Sequence, residues 1–251
     1  MKITAIIPAR FASQRLPGKP LAVIHGKTMI QRVYEQAEKC KDILNIIVAT
    51  DDQRILNHVK SFGGNAAMTS KSHQSGTDRC YEAAVLSGIH EASDIILNIQ
   101  GDEPFINPAQ ISQLCRSFKR QETQIATLVK LITDKDDLFN PTKPKVVMDS
   151  NQRALYFSRA SIPFFRNIEE DLWIKNHNYY KHIGIYGYRF DVLQKITSLE
   201  PSPLEIAEAL EQLRWLENGF FIQAEVTDYD SISVDTVEDL EKLNNTSIEF
   251  L

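Results

Sequence analysis

Residues 3–21 read ITAIIPARFASQRLPGKPL, an apolar run that passes directly into a loop with three cations and a glycine. The run is short and rich in isoleucine, which is typical of a buried strand in a parallel sheet. Arg10, Arg15 and Lys19 follow it closely. Cations neutralise phosphate charge, and a glycine lets backbone N–H groups approach the phosphate. The stretch therefore predicts a strand whose end carries a multiply charged phosphate, with a solvated loop as the alternative.

The first half of the chain continues this pattern. Further apolar runs lie at residues 46–49 and 95–99. Segments with apolar residues at helical spacing follow the three runs, at residues 29–37, 55–62 and 111–118. This β-α alternation, with strands apolar on both faces, predicts an α/β fold in which helices cover a parallel sheet through right-handed connections.

The second half of the chain is less regular and predicts antiparallel structure. Residues 145–149 and 153–158 flank Ser150-Asn151-Gln152 and predict a β-hairpin, and residues 180–188 alternate in the manner of another strand. Because no linker is rich in Pro, Gly or Ser, we expect one domain over residues 1–251.

Two helices are predicted nearer the C-terminus. Residues 204–217 carry an apolar stripe at helical spacing and end at Asn218-Gly219, so they predict one amphipathic helix. On this helix, Glu211 and Gln212 fall beside the stripe, on a face that solvent would ordinarily cover. A last helix is predicted to begin at Asp235.

Composition excludes several classes of protein. The chain has 43% hydrophobic residues and a net charge of −5, so we expect a sizeable core and no nucleic-acid surface. No apolar stretch approaches the roughly 20 residues of a membrane span, and the N-terminal run is too short for a signal peptide. Cys40, Cys80 and Cys115 are far apart, which predicts buried free thiols in a reducing cytoplasm and no metal-ligand spacing.

Two common nucleotide-binding motifs are absent from the sequence. Gly26-Lys27-Thr28 resembles the end of a P-loop, but Leu21 stands where that motif needs its first glycine. The loop after the first run lacks the three glycines of a dinucleotide-binding motif. A different phosphate-binding fold is therefore favoured.

Polar groups follow all three predicted strands of the first half. They are Arg10 onward, Thr50-Asp51-Asp52, and Gln100-Gly101-Asp102-Glu103. Because ligands of open parallel sheets bind beyond the carboxyl ends of the strands, we expect these groups to converge on one crevice.

Asp102 and Asp235 are the candidate metal ligands, although each has an ordinary structural alternative. Asp102 could form a turn or cap a helix. Asp235-Thr236-Val237-Glu238 fits a helix start with Asp235 as the N-cap. The functional case needs both carboxylates together, because Mg²⁺ is commonly held by one or two carboxylates, phosphate oxygens and water.

Two further sets of residues have open interpretations. Residues 74–79, QSGTDR, are either a helix start capped by Thr77 or a surface that contacts a base or phosphate. Arg159, His182 and Tyr186 are either ordinary residues of a wet sheet face or ligand-binding groups.

Taken together, these residues resemble the 3-deoxy-manno-octulosonate (Kdo) cytidylyltransferases. The resemblance covers nearly the whole chain and rests on eight blocks: IPARFASQRLPGKPL from position 7, HQSGTDR from 73, NIQGDEP from 98, ALYFSRASIP from 154, HIGIYGY from 182, PSPLE from 201, LEQLR from 210 and VDTVEDL from 234. Residues 165–175 and the C-terminal tail depart from the family pattern.

The resemblance implies a fold, a reaction and an assembly. The fold is a Rossmann-like nucleotide-diphospho-sugar transferase fold, with a mixed, mostly parallel sheet flanked by helices and a small antiparallel dimer-forming part within about residues 145–200. The reaction uses CTP, Kdo and Mg²⁺ in the cytoplasm, and yields CMP-Kdo and pyrophosphate for lipopolysaccharide biosynthesis. We expect a homodimer.

The resemblance also implies the role of each site residue. The catalytic set is Arg10, Lys19, Asp102 and Asp235, of which the two aspartates hold the metal. The nucleotide set is Ala9, Arg10, Arg15, Lys19, Ser75 and Gln100. The sugar set is Arg159, His182, Tyr186, Glu211 and Gln212.

Two other functions stay open at this point. One is transfer to a related acidic sugar, either 8-amino-Kdo or sialic acid. The other is a nucleotide-binding protein without turnover, which the retention of Asp102 and Asp235 beside Arg10 and Lys19 disfavours.

Overall fold

The computed structural model describes residues 2–12, 15–91, 94–230 and 232–247. Two residues of the cationic loop, Ser13 and Gln14, lie outside this range. The strands are β1 (Ile3–Ala9), β2 (Val23–Ile24), β3 (Lys27–Thr28), β4 (Asn45–Thr50), β5 (Ala66–Met68), β6 (Ile95–Asn98), β7 (Ile125–Leu131), β8 (Lys145–Met148), β9 (Ala154–Ser158), β10 (Tyr180–Arg189) and β11 (Ile222–Val226).

Helices connect and cover these strands. They are α1 (Met29–Glu38), α2 (Gln53–Ser61), α3 (Gly76–Leu86), α4 (Pro108–Ser117), α5 (Lys135–Phe139), α6 (Trp173–Asn176), α7 (Phe190–Ile196), α8 (Pro203–Glu208), α9 (Gln212–Glu217) and α10 (Val237–Asn245), with 3₁₀ turns at Lys19–Leu21 and Glu170–Leu172. Among the helices of the described residues, none has the length and apolar character needed to cross a membrane.

The central sheet is mixed, with nine strands. Its main path is β11-β7-β10-β6-β1-β4-β5, and the β8–β9 hairpin joins it through β10. β1 lies between β4 and β6 and is parallel to both. β10 is antiparallel to β6 and β7, with Tyr186 opposite Asn98. The residues of β10 before Tyr186 therefore extend past the carboxyl end of β6, where a ligand site is expected.

Two apolar clusters explain why the first strands are apolar on both faces. Ile3, Ala5 and Ile7 of β1 pack on one side of the sheet with residues of α1 and α4. Ile6 packs on the other side, with residues of α3, α7 and α9. Buried on both faces, such strands cannot show the polar alternation of a half-exposed sheet.

The predicted helix over residues 204–217 is wrong, because the chain breaks there into α8 and α9. Ala209 takes the left-handed conformation, with φ 50° and ψ 50°, which ends α8. The carbonyl groups of Glu208 and Ala209 accept hydrogen bonds from the Arg159 guanidinium at 2.6 and 3.1 Å. A distant side chain thus satisfies carbonyls that the broken helix leaves without an internal partner.

The same break changes the setting of the residues that follow it. Leu204 is exposed, whereas Leu210 and Leu213 are buried. Gln212 is buried as well, so the alternative of a solvated face does not hold for this residue.

Two predicted helix caps are wrong by one or two positions. α10 is capped by Thr236, whose Oγ1 accepts the backbone N–H of Asp239 at 3.2 Å, and not by Asp235. α3 is capped by Ser75, whose Oγ accepts the backbone N–H of Asp78 at 3.1 Å, and not by Thr77. Thr77 and Asp235 are therefore free to make other contacts.

Candidate active site

The loops that follow β1 and β6 touch each other at the carboxyl edge of the sheet. A Cβ atom at Gly101 would lie 2.7 Å from the carbonyl oxygen of Pro8, so only glycine fits there. The carbonyl of Asp102 accepts the backbone N–H of Val234 at 2.9 Å. The segment that leads to Asp235 is thereby tied to the loop that carries Asp102.

Lys19 lies between the two predicted metal ligands. Its Nζ donates to Asp102 at 2.6 Å and to Asp235 at 2.9 Å. Arg15 forms an ion pair with the same Asp235 oxygen at 3.1 Å. Burial alone would lower the pKa of Lys19, but the charges and hydrogen bonds of the two aspartates outweigh it and raise that pKa. The structure thus brings together four of the predicted site residues.

A small apolar cluster explains how these residues meet across the whole length of the chain. Leu16 and Met29 pack against Val234 and Leu243. Gly18, with φ 71°, turns the chain into the 3₁₀ turn that begins at Lys19. The cluster holds the C-terminal segment against the cationic loop, and the sequence pattern gave no signal of that contact.

Ala9 and Arg10 lie at the end of β1, beside a second charged group. The fully buried Arg79 guanidinium donates to Asp51 at 2.8 Å and to the Thr69 hydroxyl at 2.5 Å. Burial, and then the charge of Arg79, lower the pKa of Arg10, whereas the charge of Asp51 opposes them. Arg79 was not among the predicted site residues, although it lies in the HQSGTDR block.

Ser75 and Gln100 flank the same edge of the sheet. Next to Ser75, Gly76 lies so close to Pro8 that a Cβ atom there would stand 3.3 Å from the proline Cγ. The Gln100 side chain donates to Asn98 at 3.3 Å. Both predicted nucleotide residues therefore stand near the end of β1, and their roles stay predictions.

A group of buried and partly buried polar side chains lies where α3, α9 and β10 meet. The Glu211 carboxylate accepts hydrogen bonds from Thr77 at 2.7 Å and from Arg214 at 3.2 Å. Burial raises the pKa of Glu211, although the hydrogen bonds from Thr77 and Ser75 act against the shift. Gln212 is buried beside it, and its Nε2 has no hydrogen-bond partner among the described residues. These groups can bind a polyhydroxylated ligand.

Two aromatic residues of β10 extend this polar group. Tyr186 has its ring 5.2 Å from that of His182 and 5.2 Å from that of Trp215. Burial, and then the charge of Glu211, raise the pKa of Tyr186 well above its ordinary value. Burial lowers the pKa of His182 to about 3, so both side chains are neutral near pH 7. Four of the five predicted sugar-binding residues thus lie around one buried region.

Arg159 is placed differently from the other predicted sugar residues. Besides its bonds to the end of α8, its guanidinium donates to the carbonyl of Pro141 at 3.0 Å. Its backbone N–H donates to the Glu208 carboxylate at 2.9 Å. Arg159 therefore anchors the segment that leads to Glu211. Its predicted contact with a sugar carboxylate stays a prediction.

Comparisons with known proteins identify the family. A family model described as "Cytidylyltransferase" matches residues 4–232. A 3-deoxy-manno-octulosonate cytidylyltransferase of Parabacteroides distasonis is 56% identical over 247 residues, which are 96% of each chain. The chain belongs to the 3-deoxy-manno-octulosonate cytidylyltransferase family. A family member from Thermodesulfovibrio yellowstonii is 50% identical over 245 residues, again 96% of each chain.

Solved structures confirm the predicted fold class. A CMP:2-keto-3-deoxy-manno-octonic acid synthetase complexed with CTP matches 100% of both chains, with a TM-score of 0.91 and 41% identity. A putative glucose-1-phosphate thymidylyltransferase from Bacillus anthracis matches 96% of this chain and 94% of its own, with a TM-score of 0.65 and 18% identity. The latter shares the fold alone. The mixed, mostly parallel sheet flanked by helices is thus the fold of this cytidylyltransferase family.

Proposed function

We propose that this cytidylyltransferase transfers CMP from CTP to Kdo, giving CMP-Kdo and pyrophosphate. The observation that carries the proposal is the meeting of Lys19, Asp102 and Asp235 at the carboxyl edge of the sheet. It occurs in a chain 56% identical to a protein named for this activity. The relatives' names give Kdo, and none supports 8-amino-Kdo or sialic acid as the acceptor.

The chemistry requires little more than placement and charge. The anomeric hydroxyl of the sugar attacks the α-phosphate of CTP in line, and pyrophosphate leaves. Such transfers depend on positioning and on stabilisation of charge on phosphate oxygens. Arg10 and Lys19 offset the charge of the triphosphate and of the leaving pyrophosphate, with Arg15, Ser75, Gln100 and Ala9 lining the nucleotide.

Asp102 and Asp235 fit a Mg²⁺ ion. Their carboxylates are hard oxygen donors, and both already lie against one cation, the Lys19 ammonium. They are partly exposed, with 27% and 37% of their side chains accessible, so phosphate oxygens and water can complete an octahedral shell. A bound Mg²⁺ would neutralise the triphosphate and help to generate the attacking oxygen.

The buried polar group around Glu211 supports a role as the sugar end of the site. Tyr186 and Gln212 are buried, His182 and Glu211 are partly buried, and together they offer uncharged and charged hydrogen-bonding groups. The Arg159 guanidinium would bind the sugar carboxylate. It has five N–H groups, and its three contacts with carbonyl groups leave some of them available.

The setting of the reaction is also proposed. The product would serve as the activated Kdo donor for lipopolysaccharide biosynthesis. We propose a cytoplasmic homodimer, in which residues 145–200 supply the interface. Free cysteines at all three positions fit a reducing compartment.

The decisive experiment measures pyrophosphate released from CTP and Mg²⁺ with Kdo, 8-amino-Kdo and sialic acid in parallel. We expect release with Kdo, and much slower or no release with the other two sugars. A reaction without sugar and the Asp102→Asn variant are the controls. If no sugar supports release while CTP still binds, the protein is a nucleotide-binding protein without turnover and the proposal is wrong.

A further inference from the structure

A second set of ligating side chains lies away from the crevice, where the end of α1 approaches α4. The sulfur atoms of Cys40 and Cys115 and a carboxylate oxygen of Asp42 all lie within 4.8 Å of one another. Cys40 and Asp42 belong to the turn that follows α1, and Cys115 belongs to α4. The prediction of free thiols is confirmed. The cysteines have no metal-ligand spacing along the sequence, but the fold brings Cys40 and Cys115 together, because α1 and α4 pack side by side.

The Cys40 sulfur lies among polar groups, one of them a second thiol. Its neighbours are the Ser112 hydroxyl at 3.2 Å, the Cys115 thiol and the backbone N–H of Asp42. The hydrogen bond from Cys115 is the main reason why the pKa of Cys40 falls to about 6, against the opposing effect of burial. The same hydrogen bond and burial raise the pKa of Cys115. Cys40 and Cys115 thus already lie side by side, as two ligands of one ion must.

One of the three side chains is exposed to solvent and the other two are buried. Cys40 and Cys115 are each 3% exposed, whereas Asp42 lies on the surface. The sulfur atoms form the inner wall, among apolar neighbours of α1 and α4. Asp42 stands at the opening, where its carboxylate can swing towards an ion.

We propose that Cys40, Asp42 and Cys115 bind a thiophilic divalent cation, with Zn²⁺ as the best match. In a tetrahedral zinc site the Zn–S bonds are about 2.3 Å, which places two thiolate sulfurs roughly 3.8 Å apart. From the 4.8 Å limit observed here, the two sulfurs need to close by about 1 Å at most, and each sulfur and the carboxylate oxygen by about 1.3 Å at most. Water or the Ser112 hydroxyl fills the fourth position.

The donor set separates this site from the predicted magnesium site. Thiolates select soft or borderline ions such as Zn²⁺, whereas the carboxylates of Asp102 and Asp235 suit Mg²⁺. Binding releases the proton of Cys115, because a zinc-bound thiol is deprotonated. The bound ion joins the end of α1 to α4 and stabilises the fold without touching the reacting groups.

Co²⁺ is a suitable probe, because a cobalt thiolate complex absorbs strongly in the near ultraviolet and cobalt bound only by oxygen does not. Full-length protein is first reduced with a phosphine, desalted and titrated with Co²⁺. We expect thiolate-to-cobalt absorption that one equivalent of Zn²⁺ abolishes. Cys115→Ser removes it, and Asp42→Asn weakens cobalt binding at least about tenfold, as expected for loss of one ligand.

Cys80 provides the matched control. It is also a buried free thiol, but it packs on the opposite side of the sheet. Cys80→Ser therefore leaves the absorption unchanged. Zn²⁺ should raise the thermal midpoint of the wild type and of Cys80→Ser, but not that of Cys115→Ser. The proposal is overturned if the wild type shows no thiolate absorption, if Cys115→Ser retains it, or if Cys80→Ser loses it.

Discussion

The Asp235 carboxylate contacts Lys19 and Arg15, while the neighbouring Thr236 caps α10. Asp235 thus provides the negative charge, and Thr236 provides the helix cap. We expect Asp235→Asn to lower turnover by about 100-fold or more, the usual cost of losing one preorganised electrostatic group. We expect it to change the free energy of unfolding by less than about 0.5 kcal/mol. Pyrophosphate release and urea unfolding measure the two effects.

Thr236→Ala is the matched control for this prediction. Loss of the cap should cost about 1 kcal/mol of stability and leave turnover close to that of the wild type. If Asp235→Asn instead lost stability and kept its turnover, Asp235 would be a structural residue only.

His182 should make stability depend on pH. Its pKa is lowered by burial from 6.5 to about 3, so below pH 6.5 the unfolded chain binds a proton that the folded chain does not. The contribution of His182 to stability is full above pH 6.5 and is lost as the pH falls towards 3. We expect the slope from this residue to approach about 1.4 kcal/mol per pH unit.

His182→Gln keeps a polar side chain in place and removes the titration. Urea unfolding of both proteins between pH 7 and about pH 4.5 tests the idea, since all other titrating groups are common to them. The free energy of the variant should fall less steeply with decreasing pH. Parallel curves for the two proteins would contradict a buried neutral histidine.

At the scale of elements, the break between α8 and α9 depends on Ala209, whose φ of 50° suits glycine better. Ala209→Gly should therefore raise the free energy of unfolding by up to about 1 kcal/mol, because it removes the penalty of a side chain in the left-handed region. Ala207→Gly, inside α8, should lower it by about 0.5–1 kcal/mol. Denaturant unfolding shows whether each variant is more or less stable than the wild type. A loss of stability in both variants would contradict a left-handed conformation at Ala209.

Local pattern predicted the regular elements of the first half but not this break. Strands buried on both faces appear as short continuous apolar runs, and helices with one apolar stripe show a helical period, so both are visible in sequence. Alanine is a good helix former, and Leu204, Ala207 and Leu210 continue a helical stripe across the break. α8 ends at the left-handed Ala209, and the carbonyl groups freed there are bound by the guanidinium of Arg159, which comes from a distant part of the chain.

The charged residues of the candidate site could be predicted from the sequence, but the packing that holds them in place could not. Lys19, Asp102 and Asp235 were predicted because ligands bind beyond the ends of parallel strands and because the chain resembles a known family. The structure places these three residues together. Neither of the two arguments could show that Leu16 and Val234 pack beneath them. The Arg79–Asp51 pair was also missed, because long-range ion pairs leave no periodic signal.

The whole molecule is needed to complete the crevice. Its proposed phosphate end uses Arg10 from the beginning of the chain and Asp235 from near its end, and its proposed sugar end uses β10 and α9. Both ends rest on the same mixed sheet, whose antiparallel strand β10 carries His182 and Tyr186 past the end of β6. Cooperative folding of the sheet therefore assembles both ends of the site together.

Assembly into a dimer gives the last prediction. Leu155 of β9 is 60% exposed, and β9 pairs with β8 alone among the described strands. In the proposed homodimer an apolar side chain at this edge is buried by the second copy, so Leu155→Glu should convert the dimer to a folded monomer. Leu86 of α3 is equally exposed at 59% but lies outside the predicted interface. Leu86→Glu should leave the dimer intact. Sedimentation velocity of the wild type and both variants measures the assembly state. A monomeric wild type would contradict the proposed dimer. The same assembly state in both variants would show that residues 145–200 do not form the interface.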